Sequence, residues 1–159
     1  MADLAKVLNT VKAAEDGLEF NIRTLDGDEL DTVVKVVGIG SEAWKKADMT
    51  YNARLDKLMR KYKHIPDTAP DDDKKLEKYV EDCLERQKEV EKLMAERAAR
   101  CVVSWRNLSV NGKEIECTYE NAVELFTAFP NFAVQVVESI SKLKEMMGNS
   151  KASSKNSAK

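Results

Sequence analysis

The stretch Leu18–Gly40, "LEFNIRTLDGDELDTVVKVVGIG", decides which class of fold this chain adopts. Leu18, Phe20 and Ile22 alternate with Glu19, Asn21 and Arg23, the period of a strand with one buried face. Asp26-Gly27 then supplies a hairpin turn, because glycine accepts a positive φ without steric cost. The β-branched run Thr32 to Ile39 predicts the returning strand. The acidic "DGDELD" lacks the glycine position and ligand spacing of an EF-hand loop, so a plain turn is the better reading.

On either side of this hairpin the period is helical. Leu4, Val7, Leu8 and Val11 predict a short amphipathic helix that Gly17 would stop. Downstream, Gly38-Ile39-Gly40-Ser41 closes the strand, with Ser41 as a helix N-cap and Glu42 in the first turn. These glycines do not have the G-x-x-x-x-G-K-[ST] spacing of a phosphate loop. The helix that follows sets Trp44, Ala47, Tyr51, Leu55, Leu58, Met59 and Tyr62 on one stripe. Arg54, Lys57, Arg60, Lys61 and Lys63 predict a basic outer face, read as solvated rather than nucleic-acid binding. Pro66 and Pro70 break the helix, and the aspartates after them suit a new helix start. His64, the only histidine, sits at the break without a Cys/His cluster, and a surface position is expected.

The longest helix is predicted from about Asp73 to Val103, with an apolar stripe interrupted by the charged Glu85 to Glu89. Arg86 and Arg97 spoil a heptad seam, so the stripe reads as a packed face, its charged middle exposed. A second change of period follows. Asn111-Gly112 predicts a hairpin pairing "NLSV" with "KEIE", with Leu108 opposite Ile115. Thr118 would cap the next helix, with Glu120 in its first turn and Tyr119, Val123 and Phe126 presented on it. Phe129-Pro130 bends the chain into a last helix with Phe132, Val136, Ile140, Leu143 and Met147 inward, and Trp105 reads as a core anchor. The expected fold is α+β and predominantly helical: an N-terminal β-hairpin, two long amphipathic helices, a second small hairpin and two short C-terminal helices.

Composition narrows the function. A chain of 159 residues is one domain in size, expected over residues 1–148 with a disordered tail over 149–159. The tail holds three lysines and no acid; since the whole chain carries −2, the body alone stands at about −5. That balance excludes a strongly basic nucleic-acid footprint. No apolar run is long enough to cross a bilayer, and the N-terminus lacks a signal peptide's apolar core. Cys83, Cys101 and Cys117 are odd in number and widely spaced, so reduced thiols are expected. There is no G-x-S-x-G elbow, no H-E-x-x-H and no Gly-rich nucleotide loop. By elimination the expectation is a binding or assembly protein, without enzymatic activity, cofactor, metal or small-molecule substrate.

The order of motifs carries a resemblance. "EFNIRTLDGDELDTVVKVVGIGSEAWKKA", with "GIGSEAW" running into an Arg- and Lys-rich helix, resembles the first half of the tail assembly chaperones of long-tailed bacteriophages. "AARCVVSW" entering "NLSVNGKEIECTYENAVELFTAFPNFAVQV" is similar to that family's tryptophan, then a Gly-Lys turn, a T-x-E-N cap, an apolar helix and a proline. The resemblance runs from about Leu18 to Glu145 and places Gly40, Ser41, Trp105, Gly112, Glu120 and Asn121 at motif positions. An aromatic residue often ends such chains, whereas Met147-Gly148 and a lysine tail stand here. The resemblance implies a host-cytoplasmic protein that keeps the tape measure protein soluble during tail-tube assembly and is absent from the finished virion. It implies as partners the tape measure protein, the tail tube protein and further copies of the chain, with no membrane or nucleic acid. Trp44, Tyr51, Leu55, Tyr79 and Leu93, on the two long stripes, are the candidate partner-binding residues. The rival expectations are a structural tail or head-tail completion protein retained in the virion, and a nucleic-acid-binding regulator using the basic face.

Overall fold

The structure, a computed structural model, describes residues 16–142. The expected helix at Leu4–Val11, the positions Leu143 and Met147, and the lysine tail lie outside the described residues. The fold is α+β and mostly helical.

Strands β1 (Leu18–Arg23) and β2 (Glu29–Val36) form the expected antiparallel hairpin. Gly27, at φ +90°, donates its N–H to the Thr24 carbonyl, and Thr24 donates in turn to Asp28. That is the three-residue loop with a left-handed last position. Alternation along β2 buries Thr32, Val34 and Val36 on one face. The strand begins at Glu29 and ends at Val36, earlier than the Thr32 to Ile39 expected; beyond it the Val37 N–H turns to the Cys101 carbonyl at 2.8 Å.

Ser41 caps α1 (Glu42–Lys61), its hydroxyl accepting the Trp44 N–H at 3.1 Å. After the proline break, Asp72 caps α2 (Asp73–Cys101) in the same way through Lys75 at 3.0 Å. Sequence periodicity carries this helix to Val103, but the structure ends it at Cys101. Val102–Arg106 instead forms strand β3, antiparallel to β2, with Trp105 opposite Val34 and Val102 opposite Val36. The β-branched Val102 and Val103 prefer the extended state, and the open edge of β2 supplies the ladder that decides it. The first sheet therefore has the order β1-β2-β3 and is not an isolated hairpin.

Asn107, at φ +58°, turns the chain out of β3, its amide donating to the Asp31 carbonyl. The second hairpin, β4 (Ser109–Val110) and β5 (Lys113–Glu114), closes through Asn111 and Gly112, at φ +52° and +74°. Two successive positive φ values make a type I′ turn, whose twist matches the strands it joins. The Ile115 N–H donates to the Leu108 carbonyl, so these two residues do face each other. Thr118 caps α3 (Tyr119–Ala128), Phe129 ends it, and Pro130 opens α4, described over 130–142.

Two apolar clusters hold the elements. The larger joins Ile22, Val34 and Val36 of the sheet to Ala95, Ala98, Ala99 and Cys101 of α2, and to Phe126, Val136 and Ile140 of α3 and α4. Alanines on that end of α2 leave room for close approach of α3, where Ala122 is also buried. The smaller cluster is Leu58, Tyr62 and Ile65 with Tyr79, Cys83, Val90 and Leu93 around them, and it fastens the far ends of α1 and α2 together.

Candidate functional site

Helices α1 and α2 pack antiparallel as an arm, and their side chains decide what the arm offers. Near the body, Arg97 Nη2 donates to Asp48 Oδ1 at 2.6 Å, and its guanidinium lies 5.1 Å from the Trp44 ring centre and 4.8 Å from that of Tyr51. Arg97, one of the two residues that spoil a heptad seam, is therefore a joint between the helices, holding two aromatic faces and one carboxylate at once. Farther out, Arg54 pairs with Glu96, and Lys61 Nζ donates to Glu89 Oε1 at 2.6 Å. Tyr62 Oη donates to the same carboxylate at 2.9 Å. The hydrogen bond from Lys61, then that from Tyr62, hold the Glu89 carboxyl below the ordinary range. Burial first, then the bond to Glu89, raises the Tyr62 phenol, and the same carboxylate raises Lys61. Glu89 belongs to the charged run expected to be exposed, and only half of that expectation holds: Glu85, Gln87 and Lys88 face solvent, while Arg86 and Glu89 are half-buried.

Between these cross-links lies an open groove of about 830 Å³, floored by Leu58 and Leu93 and rimmed by Arg54, Lys57, Lys61 and Lys92. The basic residues expected on an outer solvated face thus line the groove, Lys63 excepted. Their spacing explains it: Arg54, Lys57 and Lys61 fall at i, i+3 and i+7 and share one side of α1. Beyond the groove, Leu76, Val80 and Leu84 of α2 stand four residues apart, 37%, 45% and 52% exposed. No element among the described residues covers this stripe.

The five candidate partner-binding residues do not form one surface. Trp44 packs against the larger cluster and Tyr51 against Arg97, Tyr79 lies in the smaller cluster, and Leu55 is half-buried; Leu93 alone reaches the groove. Periodicity marks such residues as apolar-faced but does not say whether the neighbouring helix already covers them. The motif positions serve local backbone geometry. Gly40 lies in the turn before α1, Ser41 caps that helix, and Gly112 completes the second hairpin turn. Trp105 is half-buried against the larger cluster, and its indole N–H donates to the Ile115 carbonyl at 2.7 Å, tying the second hairpin to the sheet. Asn121 donates its amide to the Glu116 carbonyl at 2.9 Å, and Glu120 is exposed in the first turn of α3.

His64 is exposed as expected, with Nε2 3.5 Å from Asp82 Oδ2 across the proline break. Cys83, Cys101 and Cys117 are free thiols; burial pushes Cys101 up to about 11 and also raises Cys117. Among the described residues, no group of three or more His, Cys, Asp or Glu side chains is placed to hold a metal ion. Among the same residues no helix is long and apolar enough to cross a membrane. In comparisons with known proteins, no family model, no curated protein and no solved structure matches the chain.

Proposed function

We propose that this chain is a non-enzymatic assembly chaperone of the phage-tail type, which binds the tape measure protein through its two-helix arm and keeps it soluble while the tail tube forms. The observation that carries the reading is the arm itself, with an open groove and an apolar stripe at Leu76, Val80 and Leu84 that no element among the described residues covers. Amphipathic helices of a client bind in such grooves, reading apolar anchors at helical spacing. A long client offers many such segments, so several copies of the chain coat it by avidity. The motif order from Leu18 to Glu145 supports the same reading. On this proposal the chain works in the host cytoplasm and leaves before the virion is complete.

Co-expression with a tape measure protein, the client the proposal names, tests it. The client should be more soluble with this chain than alone and should retain it through purification. A client equally soluble alone, or recovered without the chain, overturns the reading. Mass spectrometry of purified virions separates it from a structural tail protein, which would be present there.

A further inference from the structure

Resting on the client-binding reading above, the geometry points to a specific chemistry for the client: the groove between α1 and α2 takes an amphipathic helix whose flanks are acidic. Arg54 to Lys61 spans about 10 Å of helix axis, or two turns, so the groove is long enough for a helical segment to lie along it. Its floor is apolar, Leu58 and Leu93, and the aliphatic stems of the surrounding lysines and arginines extend that apolar surface.

The rim decides the sign. Glu96 is engaged by Arg54 and Glu89 by both Lys61 and Tyr62, so neither carboxylate of the groove is unpaired. Arg60 pairs with Asp56 on its own helix. Lys57 and Lys92, one on each helix, have no ion-pair partner among the described residues and both are exposed. A helix lying on Leu58 and Leu93 passes between these two ammonium groups. Glutamates on its two flanks would meet one each, whereas lysines there would meet like charge on both sides. At physiological salt the screening length is about 8 Å, so only charges seated in the groove feel this preference.

The test uses the full chain and two acetylated, amidated peptides of about 20 residues, sharing leucines at i, i+3, i+4 and i+7. One carries glutamates on the flanks and the other lysines. Titration by fluorescence anisotropy should show the glutamate peptide binding at least about tenfold tighter. The Lys57→Glu/Lys92→Glu double variant should abolish or reverse that preference. Lys92 lies near the Glu89 carboxylate and helps to hold it ionised. The Lys57→Gln/Lys92→Gln double variant, which adds no carboxylate beside Glu89 and Glu96, is therefore the folding control. It should melt close to wild type and still lose the preference. Equal binding of the two peptides, or binding of neither, overturns the inference. So does equally tight binding of poly-glutamate or duplex DNA, which would make the groove a general polyanion surface. Co-expression separates this inference from the proposal beneath it. If the Lys57→Gln/Lys92→Gln variant holds the tape measure protein as well as wild type does, the groove assignment fails and the chaperone reading stands. If the wild-type chain never retains that protein, the chaperone reading fails whatever the peptides do.

Discussion

Gly17 is set where a side chain has no room: at φ +83°, an added Cβ would lie 2.1 Å from the Val36 carbonyl oxygen. Gly17→Ala should therefore lower stability by roughly 2–4 kcal/mol, combining left-handed strain with a backbone clash. Gly112→Ala, at φ +74° with open space around it, should cost only the strain, about 1–2 kcal/mol. Urea midpoints of the two variants check the order. Phe126 is 1% exposed at the centre of the larger cluster, and Phe126→Ala should cost about 3–5 kcal/mol in the same assay. Cys101 gives a pH-dependent counterpart. Its thiol stays protonated in the fold up to about pH 11, while in the unfolded chain it ionises earlier. Alkaline pH therefore favours the unfolded state, and stability falls as pH rises from about 9 towards 11, by of order 2 kcal/mol from this group. Comparing wild type with Cys101→Ala at pH 8 and pH about 10.5 isolates the effect, and the variant should lose less. Single residues of this kind are only partly legible in sequence. Gly17 reads as a helix stop, but its contact with Val36 is tertiary.

The elements were legible where local chemistry settles them and obscure where pairing does. Ser41, Thr118, Asp26-Gly27 and Asn111-Gly112 all act as their residue types predict, because caps and tight turns are satisfied within a few residues. Ser41→Ala and Thr118→Ala should each cost about 1 kcal/mol in thermal or urea unfolding. Strand β3 was missed because Cys101 and Val102 continue the helical stripe, and nothing local reveals that β2 has an open edge waiting. The charged middle of α2 was half misread for a related reason. Glu89 looks solvated until Lys61 and Tyr62 arrive from the other helix. Because its pKa is depressed, the stability it contributes is fully present above the ordinary carboxylate range and is lost as pH falls through and below that range. Acid titration of the melting temperature should show a smaller loss for Glu89→Gln than for wild type.

At the scale of the molecule, the α+β class, the two long helices and the second hairpin could be read from periodicity, whereas the groove could not. The basic residues from Arg54 to Lys63 are compatible with an outer face until the antiparallel course of α2 places four of them, Arg54, Lys57, Arg60 and Lys61, at a shared seam. The same arrangement divides the protein unevenly. The larger cluster unites the sheet, α3, α4 and the near ends of the arm, while Leu58, Tyr62 and Ile65 hold the far end with a second, smaller cluster. Residues joined to the rest only through a small cluster open at lower free energy than the whole. Native-state hydrogen exchange should therefore divide α2 in two. Amides from about Lys75 to Glu85 should exchange through sub-global opening and be insensitive to Phe126→Ala. Amides from Ala95 to Cys101 should exchange only with global unfolding and lose protection in that variant. The outer half of the arm would then be a separately melting unit, able to loosen around an incoming helix while the sheet and the near end of the arm stay folded.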